Sequence, residues 1–279
     1  MAFLRVVEVF PPLFPIVGTI ADVQLQNRLD DLVEDVTKIK DCADLILVAN
    51  VKNPELLKVS TLRVAALIQA KSGIQAAPSI VARDLSRLQL LSEIVTAYSL
   101  GLTSVMLVWG DRYPAEARSR NVYDFQGLAE VIGEASRIGK RTGVDPRILT
   151  PFTLAPQGGR QAKLGMRRAE AGASLFLGQP PTTDPHQTFD EHEAAIGSAG
   201  LEGRVLLNAF PFRDTKDVLE CEKYFGWTLP ERLHGIAKGG SAALIREARS
   251  VVSRLRLDGY PGVYVSTRGE PSIARDILS

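Results

Sequence analysis

The sequence alternates short apolar runs with longer amphipathic stretches from one end to the other, and this alternation limits the folds open to it. Several of the runs are continuous segments of Val, Leu and Ile, as expected for parallel strands that are covered on both faces. Parallel strands that alternate with helices predict an α/β fold. The runs predicted as strands are Arg5–Phe10, Asp44–Ala49, Gln75–Val81, Thr103–Trp109, Arg147–Phe152, Ser174–Gly178, Arg204–Ala209 and Gly262–Ser266.

The stretches between these runs have the spacing of amphipathic helices. In the last of them, apolar side chains recur every three or four positions and form one apolar stripe. The proline-rich segments Pro11–Pro15 and Pro180–Pro185 each follow a strand and are predicted to be loops. The clearest predicted helices are Val23–Lys40, Leu85–Leu100, Phe125–Arg141 and Ala242–Leu257.

Eight strands separated by helices suit either a closed barrel or an open doubly wound sheet. An open sheet that binds a dinucleotide carries a G-x-G-x-x-G turn after its first strand, whereas this chain has only Gly18 there. The 279 residues also suit a barrel, which needs roughly 250. We therefore predict an α/β protein with a single (β/α)8 TIM barrel domain over residues 1–279.

The composition excludes several classes of protein. Hydrophobic residues make up 45% of the chain and charged residues 23%, so a large core can form. The 33 basic and 32 acidic residues leave a net charge of +1, which argues against broad binding of nucleic acids or acidic membrane surfaces. No apolar run reaches the ~18 residues of a membrane span, and the N-terminal residues lack a signal-peptide pattern. Since Cys42 and Cys221 are the only cysteines, we expect a cytoplasmic protein without disulfides.

Barrel enzymes keep their chemistry at the carboxyl ends of the strands. Here these positions hold mostly uncharged polar residues and aromatic rings, with two carboxylates and one guanidinium. They include no histidine and no cysteine, which argues against Ser-His-Asp, Cys-His and zinc mechanisms. His186 and His192 are six residues apart and share no helical face, so no metal site is predicted. The strand-end residues are Glu8, Phe10, Asn50, Ser79, Trp109, Asp111, Thr150, Phe152, Gln179, Asn208, Phe210, Thr267 and Arg268.

Glu8 is the most informative of these residues. Alternation puts it on the same face of the first strand as Val6 and Phe10, with two valines on the other face. Because both faces are otherwise apolar, the carboxyl group is predicted to be desolvated or paired. Desolvation raises the pKa of a carboxyl group and makes it a general acid near neutral pH. The alternative is a buried salt bridge with a strand neighbour such as Arg5.

Two further strand-end residues have polar side chains suited to a ligand. Asp111 follows an apolar strand and Gly110, although a Gly-Asp pair is also common in plain turns. Gln179 ends the sixth strand and can donate and accept hydrogen bonds at once, which suits the edge of a pterin, a flavin or an amide-bearing ring. The alternative for Gln179 is a solvated loop residue.

These residues stand in an order that resembles the methylenetetrahydrofolate reductase family, (β/α)8 barrels that reduce 5,10-methylenetetrahydrofolate to 5-methyltetrahydrofolate. Val-Glu-Val-Phe-Pro-Pro at 7–12 is similar to the family's first strand, which carries its catalytic glutamate. Segments similar to the third and fourth strands, to the Lys-x-x-Ala-Gly-Ala…Gln motif, to a later loop and to a Leu-Pro motif follow in the family's order. They lie at 76–79, 101–111, 167–179, 208–212 and 229–230.

The resemblance implies a role for each matching residue on the substrate side. Glu8 would protonate N10 and open the five-membered ring of the folate to an iminium ion, while Asp111 would stabilise the positive charge. Gln179 would hydrogen-bond the pterin or the cofactor ring, Phe210 would pack on the aromatic part of the folate, and Asn208 would join them in binding substrate. Hydride would then reach the methylene carbon, in the family usually through FAD reduced by NADH or NADPH.

The same resemblance implies cofactor contacts at Ser79, Trp109, Gly110, Thr150 and Arg168, but the sequence departs from the family there. Ser79 replaces a histidine, and Trp109 replaces the arginine of an Arg-Gly-Asp motif. The loop at 150–156 lacks the Tyr-Pro-Glu-x-His-Pro-Glu elements that hold the flavin, while Arg168 keeps a positive charge where a lysine meets the diphosphate. We therefore expect FAD to bind weakly or differently. Direct hydride transfer from NADH or NADPH is the alternative.

Two other functions stay open at this point. One is a redox-inactive folate-binding barrel that serves as a subunit or adaptor of a one-carbon or methyl-transfer system. The other is a barrel that acts on another small molecule through Glu8 and Asp111. For any of these functions, the partners expected are a second copy of the chain in a homo-oligomer or a partner subunit.

Overall fold

The structure is a computed structural model, and it describes residues 2–17, 19–51, 53, 56–113, 120–152, 158–178, 185–225, 229 and 231–279. Its strands are β1 (Leu4–Val9), β2 (Leu13–Pro15), β3 (Leu45–Val48), β4 (Leu56–Lys58), β5 (Gln75–Val81), β6 (Ser104–Val108), β7 (Arg147–Phe152), β8 (Leu175–Gly178), β9 (Val205–Asn208) and β10 (Gly262–Ser266). Its α-helices are α1 (Asp22–Lys38), α2 (Thr61–Ser72), α3 (Arg87–Ser99), α4 (Leu128–Thr142), α5 (Gly158–Glu170), α6 (Pro185–Ser198), α7 (Thr215–Phe225), α8 (Glu231–Ala237), α9 (Ser241–Leu257) and α10 (Ile273–Leu278).

Eight of the strands close into a parallel barrel. Their order around it is β1-β10-β9-β8-β7-β6-β5-β3, so that β1 pairs with both β3 and β10. Helices connect successive strands, and this confirms the predicted (β/α)8 barrel. The predicted strand boundaries differ from the observed ones by at most one residue.

The alternation of side chains along each strand divides the core into two layers. Val7 and Val9 point outward into a large cluster that joins the barrel wall to the surrounding helices. Val6 points inward, where it meets Leu47, Met106 and other apolar side chains inside the barrel. Both layers exclude water, which explains why the strands have apolar residues on both faces.

The first proline-rich segment is predicted to be a loop, and the structure corrects this prediction. Residues 13–15 form β2, which pairs antiparallel with β4 in a separate two-stranded ribbon, with Leu13 opposite Lys58. Phe14 is buried, and Pro15 is tolerated because both strands of a two-stranded ribbon are edge strands. The ribbon follows β1 directly and brings Lys58 to the carboxyl end of the barrel. Of the second segment, residues 180–184 lie outside the described residues, and Pro185 begins α6.

In the described part of the chain, no helix combines the length and the apolar character that a membrane span requires.

Candidate functional site

A cavity of about 450 Å³ lies at the carboxyl ends of the barrel strands. Residues at or just beyond the ends of all eight barrel strands contribute to its wall. Its floor is apolar and includes Leu47, Met106 and Leu177 from the interior layer of the core. A cavity of this size, with an apolar floor and a few polar groups, suits a small organic molecule.

Glu8 projects into this cavity from β1 and is held by the neighbouring strand β10. The hydroxyl of Tyr264 donates a hydrogen bond to its Oε2, and the hydroxyl of Ser266 donates to its Oε1. Thr267, the residue after β10, donates from Oγ1 to the backbone oxygen of Glu8 at 2.6 Å. Both oxygens of the carboxyl group are therefore fixed in position.

Burial raises the pKa of Glu8 above its ordinary value, although the hydrogen bonds from Ser266 and Tyr264 act in the opposite direction. Burial and the neighbouring carboxylate also raise the pKa of Tyr264. The predicted alternative, an ion pair between Glu8 and Arg5, does not form, because Arg5 points outward and binds Asp44 at 2.8 Å. Glu8 is therefore a carboxyl group that keeps its proton to higher pH and faces the cavity.

Glu8 on β1 and Tyr264 on β10 form a row of polar side chains, and Asn208 on β9 extends this row by one strand. In the parallel pairing of β9 and β10 it lies beside Tyr264, and it also lines the cavity. Its side chain is 5% exposed, and its Oδ1 has no hydrogen-bond partner within the described ranges. Three adjacent strands thus present an acid, a phenol and an unpaired amide oxygen along one side of the cavity.

The opposite side of the cavity is built around a buried cation that the sequence analysis missed. Arg83 follows β5, is 2% exposed, and makes two hydrogen bonds to Asp84, at 2.8 and 2.9 Å. Its Nη1 donates to the backbone oxygen of Asp111 at 2.9 Å, and its guanidinium lies over the ring of Tyr113 at 3.9 Å. Arg83 therefore anchors the loop after β6 to the turn after β5.

The Asp111 side chain is exposed at the mouth of the cavity, and its main chain is held by Arg83. The preceding Gly110 has a φ of +83° and leaves no room for a side chain, because a Cβ there would lie 2.6 Å from Val81 Cγ1. Tyr123 donates to the backbone oxygen of Gly110 at 2.6 Å. The Gly-Asp pair is thus a tightly held turn whose carboxylate borders the cavity.

The charges beside Arg83 form a small network. Burial raises the pKa of Asp84, the ion pair with Arg83 lowers it, and the net result is a lowered pKa. Lys58 of the β2–β4 ribbon donates to Oδ1 of Asn50, and burial lowers its pKa. This side of the mouth therefore carries two cations, Arg83 and Lys58, and two carboxylates, the partly buried Asp84 and the exposed Asp111.

A second guanidinium lines the cavity near the ends of β9 and β10. Arg268 has a φ of +52°, a strained conformation for a residue with a side chain. It forms an ion pair with the buried Asp217, and its guanidinium lies over the ring of Phe210 at 5.8 Å. The ion pair fixes the guanidinium of Arg268, and this guanidinium in turn contacts Phe210 at the cavity wall.

The structure brings six of the predicted site residues to the cavity wall and leaves three elsewhere. The six are Glu8, Asp111, Asn208, Phe210, Ser79 and Gly110. Trp109, Thr150 and Arg168 do not line the cavity. Gln179 lies outside the described residues.

Strand alternation explains the positions of Trp109 and Thr150. Trp109 is an even number of positions from Val105 and Leu107, so its side chain faces the same, outer side of the barrel and packs on the outer cluster. It also stacks on Tyr123, with 4.8 Å between the ring centroids. Thr150 is two positions from the outward-facing Ile148, so its side chain also faces outward, and it is fully buried between the barrel wall and the helices. Neither side chain meets a ligand held inside the barrel.

Arg168 approaches the barrel from helix α5. Its Nη1 donates to the backbone oxygen of Pro151 at 2.7 Å, so that it braces the end of β7 from outside the cavity. Burial lowers its pKa. With Trp109 and Thr150 also outside, only Ser79 and Gly110 of the implied cofactor residues line the cavity. The described residues therefore do not form the flavin site that the resemblance implies.

No cluster of three or more side chains of the metal-binding types occurs in the described ranges. The polar groups of the site that sequence reasoning missed are Tyr264, Ser266 and Arg83. A signal for the first two was present, because closing the barrel pairs the last strand with the first, and Tyr264 and Ser266 are the polar positions of an otherwise apolar strand.

No known family matches the chain in sequence, and no curated protein does so either. Solved structures share its fold. A protein from Clostridium thermocellum that binds two copies of 5-methyl-5,6,7,8-tetrahydrofolic acid is 12% identical, with a TM-score of 0.62 over 99% of this chain and 96% of its own. An EDTA monooxygenase from Chelativorans sp. BNC1 is 11% identical, with a TM-score of 0.57 over 99% of this chain and 92% of its own. At such identities the similarity extends to the barrel fold alone.

Proposed function

We propose that this chain binds a reduced folate in the barrel cavity and reduces 5,10-methylenetetrahydrofolate to 5-methyltetrahydrofolate, with Glu8 as the general acid. The observation that carries the proposal is the Glu8 carboxyl group, which faces the cavity with a raised pKa and with both oxygens held by hydroxyl groups. A raised pKa keeps the proton on the carboxyl group to higher pH, which favours its transfer to a ring nitrogen.

The proton and the hydride go to different atoms of the folate. Glu8 gives its proton to N10, the bond between N10 and the methylene carbon breaks, and the iminium ion that remains on N5 accepts a hydride. NADH or NADPH supplies the hydride directly and leaves as the oxidised nicotinamide, so that protons and electrons balance. Asp111, at the mouth of the cavity, stabilises the positive charge of the iminium ion.

The cavity wall supports a folate in two further respects. Phe210 and the apolar floor supply surfaces for flat aromatic rings. Arg83 and Arg268 at the mouth are paired with Asp84 and Asp217, and Lys58 adds a positive charge beside Asn50, which suits a ligand with carboxylates. A neighbour in fold binds 5-methyl-5,6,7,8-tetrahydrofolic acid, although its identity with this chain is only 12%.

The experiment combines binding and turnover on the purified chain. Calorimetric titration with 5-methyltetrahydrofolate measures binding, and the loss of nicotinamide absorbance with 5,10-methylenetetrahydrofolate measures turnover. The absorption spectrum of the fresh protein, before and after addition of FAD, tests for a flavin, and we expect a colourless protein that turns over without it. A wild-type chain that fails to bind any reduced folate contradicts the proposal.

Variants of two glutamates assign the acid. Glu8→Gln is expected to abolish turnover and to leave folate binding within about threefold, because the amide keeps the shape but has no acidic proton. Glu93→Gln is the matched control, since burial also raises the pKa of Glu93 but this residue lies on α3, away from the cavity lining. Unchanged turnover in Glu8→Gln rules out the acid role.

A second candidate is a redox-inactive folate-binding barrel that serves as a subunit or adaptor in a one-carbon or methyl-transfer system. The positions of Trp109, Thr150 and Arg168 outside the cavity favour it, because these residues would have met the redox cofactor. Tight folate binding without nicotinamide oxidation, together with co-purification of a partner protein, supports this candidate over the reductase.

A further inference from the structure

Three buried polar atoms have no hydrogen-bond partner within the described ranges: Oγ1 of Thr150, Oδ1 of Asn208 and the hydroxyl oxygen of Tyr260. Buried polar groups are almost always paired, so each exception requires an explanation. Thr150 faces away from the cavity, and Tyr260 precedes β10 at the opposite end of the barrel. Of the three residues, Asn208 is the one that lines the cavity.

The position of Asn208 relates it to the proposed acid. It lies beside Tyr264 in the strand pairing, and Tyr264 donates to Glu8. The register partner of Tyr264 on β1 is Val6, and Glu8 lies two residues further along that strand. Glu8 and Asn208 are therefore two strand spacings across and two residues along from each other, which is about 12 Å at the backbone. All three side chains point into the barrel, so one small molecule can contact both ends of this row.

The chemistry of the unpaired atom limits the ligand. A carbonyl oxygen only accepts hydrogen bonds, so a phosphate or a carboxylate placed here would leave Oδ1 unpaired and meet it with like polarity. A ligand with an N–H group satisfies it. The adjacent NH₂ group of the asparagine offers donors to an acceptor beside that N–H.

We propose that Asn208 is a specificity-determining residue that reads a cyclic amide edge of the ligand, with its Oδ1 accepting from a ring N–H and its NH₂ group donating to the neighbouring carbonyl oxygen. This inference rests on the proposed function, since the ring of a reduced folate carries such an edge. It assigns the pterin ring to the β9 side of the cavity. The carboxylates of the folate then lie away from Asn208, toward the mouth.

The test uses 5-methyltetrahydrofolate as the probe, and Asn208→Leu and Tyr260→Phe as the variants. Each substitution removes one unpaired buried oxygen, so both variants are expected to melt at the same or a higher temperature than the wild type without ligand. Asn208→Leu is expected to raise the Kd at least about tenfold, because the ring N–H loses its acceptor. Tyr260→Phe is expected to leave the Kd within about twofold, since Tyr260 is remote from the cavity.

Asn208→Asp keeps an acceptor in the same shape and removes the donor, so its Kd is expected to lie between those of the wild type and Asn208→Leu. If Asn208→Leu does not fold, an Asn208→Asp variant that still binds supports the inference, and one that loses binding overturns it. Wild-type affinity in a folded Asn208→Leu overturns the inference and leaves the proposed function intact. Absence of folate binding by the wild type is a different result, since it removes the proposed function itself.

Discussion

Tyr264 donates its phenolic hydrogen to Oε2 of Glu8 across the junction between the last and the first strands of the barrel. Ser266, directly opposite Glu8 in the register, holds the other oxygen. The two strands are far apart in sequence, so this arrangement exists only when the barrel is closed. The geometry of the proposed acid thus depends on completion of the fold.

Tyr264→Phe is expected to raise the pKa of Glu8 further. Burial raises this pKa and the hydrogen bonds from Ser266 and Tyr264 lower it, so that removing one of them leaves burial less opposed. The variant carboxyl group should therefore keep its proton to higher pH than in the wild type. Carboxyl-carbon NMR titration, with the Glu8 signal assigned by its absence in Glu8→Gln, measures the change. A pKa that falls or does not move contradicts the assignment of Tyr264 as a donor.

Glu8→Gln is expected to change how stability depends on pH. The pKa of Glu8 in the folded chain lies above its ordinary value of 4.5, so the folded state binds the proton more tightly than the unfolded state. The contribution of Glu8 is fully present below pH 4.5 and is lost as the pH rises through the folded pKa. The free energy of unfolding of the wild type relative to Glu8→Gln should therefore fall as the pH rises from 4.5 through the folded pKa, as measured by urea denaturation.

Glu130→Gln serves as a control of opposite sign. A hydrogen bond from the backbone of Gln126 and an ion pair with Arg87 lower the pKa of Glu130. The stability of the wild type relative to Glu130→Gln should therefore increase with pH over the acidic range. The same slope in both variants would indicate a general effect of pH rather than the titration of Glu8.

The sequence alone was enough to predict the barrel, because continuous apolar runs and helical spacing are local signals. All eight strands lie within one residue of their predicted bounds. It could not predict the ribbon formed by β2 and β4, since the pairing of Leu13 with Lys58 is a contact between distant segments and one strand contains a proline. Alternation placed Glu8 on the same face as Val6 and Phe10, and the structure shows that this face points into the barrel.

The partners of the site residues were harder to predict. Trp109 and Thr150 stand at strand ends, and the family resemblance gave them cofactor contacts, but a side chain one position along a strand faces the opposite way. Arg83 was missed because its local sequence gives no sign of burial. It lies three positions before Ser86, the N-cap of α3, where an arginine is normally expected to be exposed, yet it is fully buried. Burial of this kind depends on the loop after β6, which supplies the carbonyl oxygen of Asp111.

Arg83→Met is expected to lower the free energy of unfolding by about 3–5 kcal/mol, because it leaves the partly buried Asp84 without its cation. The loss should be smaller at pH 4 than at pH 7, since the pKa of Asp84, which Arg83 now helps to lower, would rise and the carboxyl group would become neutral. Urea denaturation at the two pH values measures both effects.

Arg232→Met is the matched control for burial. Arg232 also makes two hydrogen bonds to one carboxylate, that of Glu247, at 2.8 Å each, but its side chain is 55% exposed. Its removal should cost about 0–1 kcal/mol. Equal losses in the two variants would mean that burial of the Arg83–Asp84 pair does not matter to stability.

Gly110→Ala is expected to destabilise the fold more than Gly143→Ala. Both glycines have a positive φ, +83° and +73°, which costs a residue with a side chain about 1–2 kcal/mol. Only at Gly110 would the new Cβ also collide, at 2.6 Å from Val81 Cγ1 and 3.0 Å from Arg83 Cβ, whereas nothing lies within 4 Å at Gly143. Overpacking of this kind adds about 1–3 kcal/mol.

Thermal and urea unfolding measure the difference in stability between the two variants. Folate affinity should fall in Gly110→Ala alone, because the turn at Gly110 presents Asp111 to the cavity. Equal destabilisation in the two variants would show that the turn after β6 yields freely and that Arg83 does not fix it.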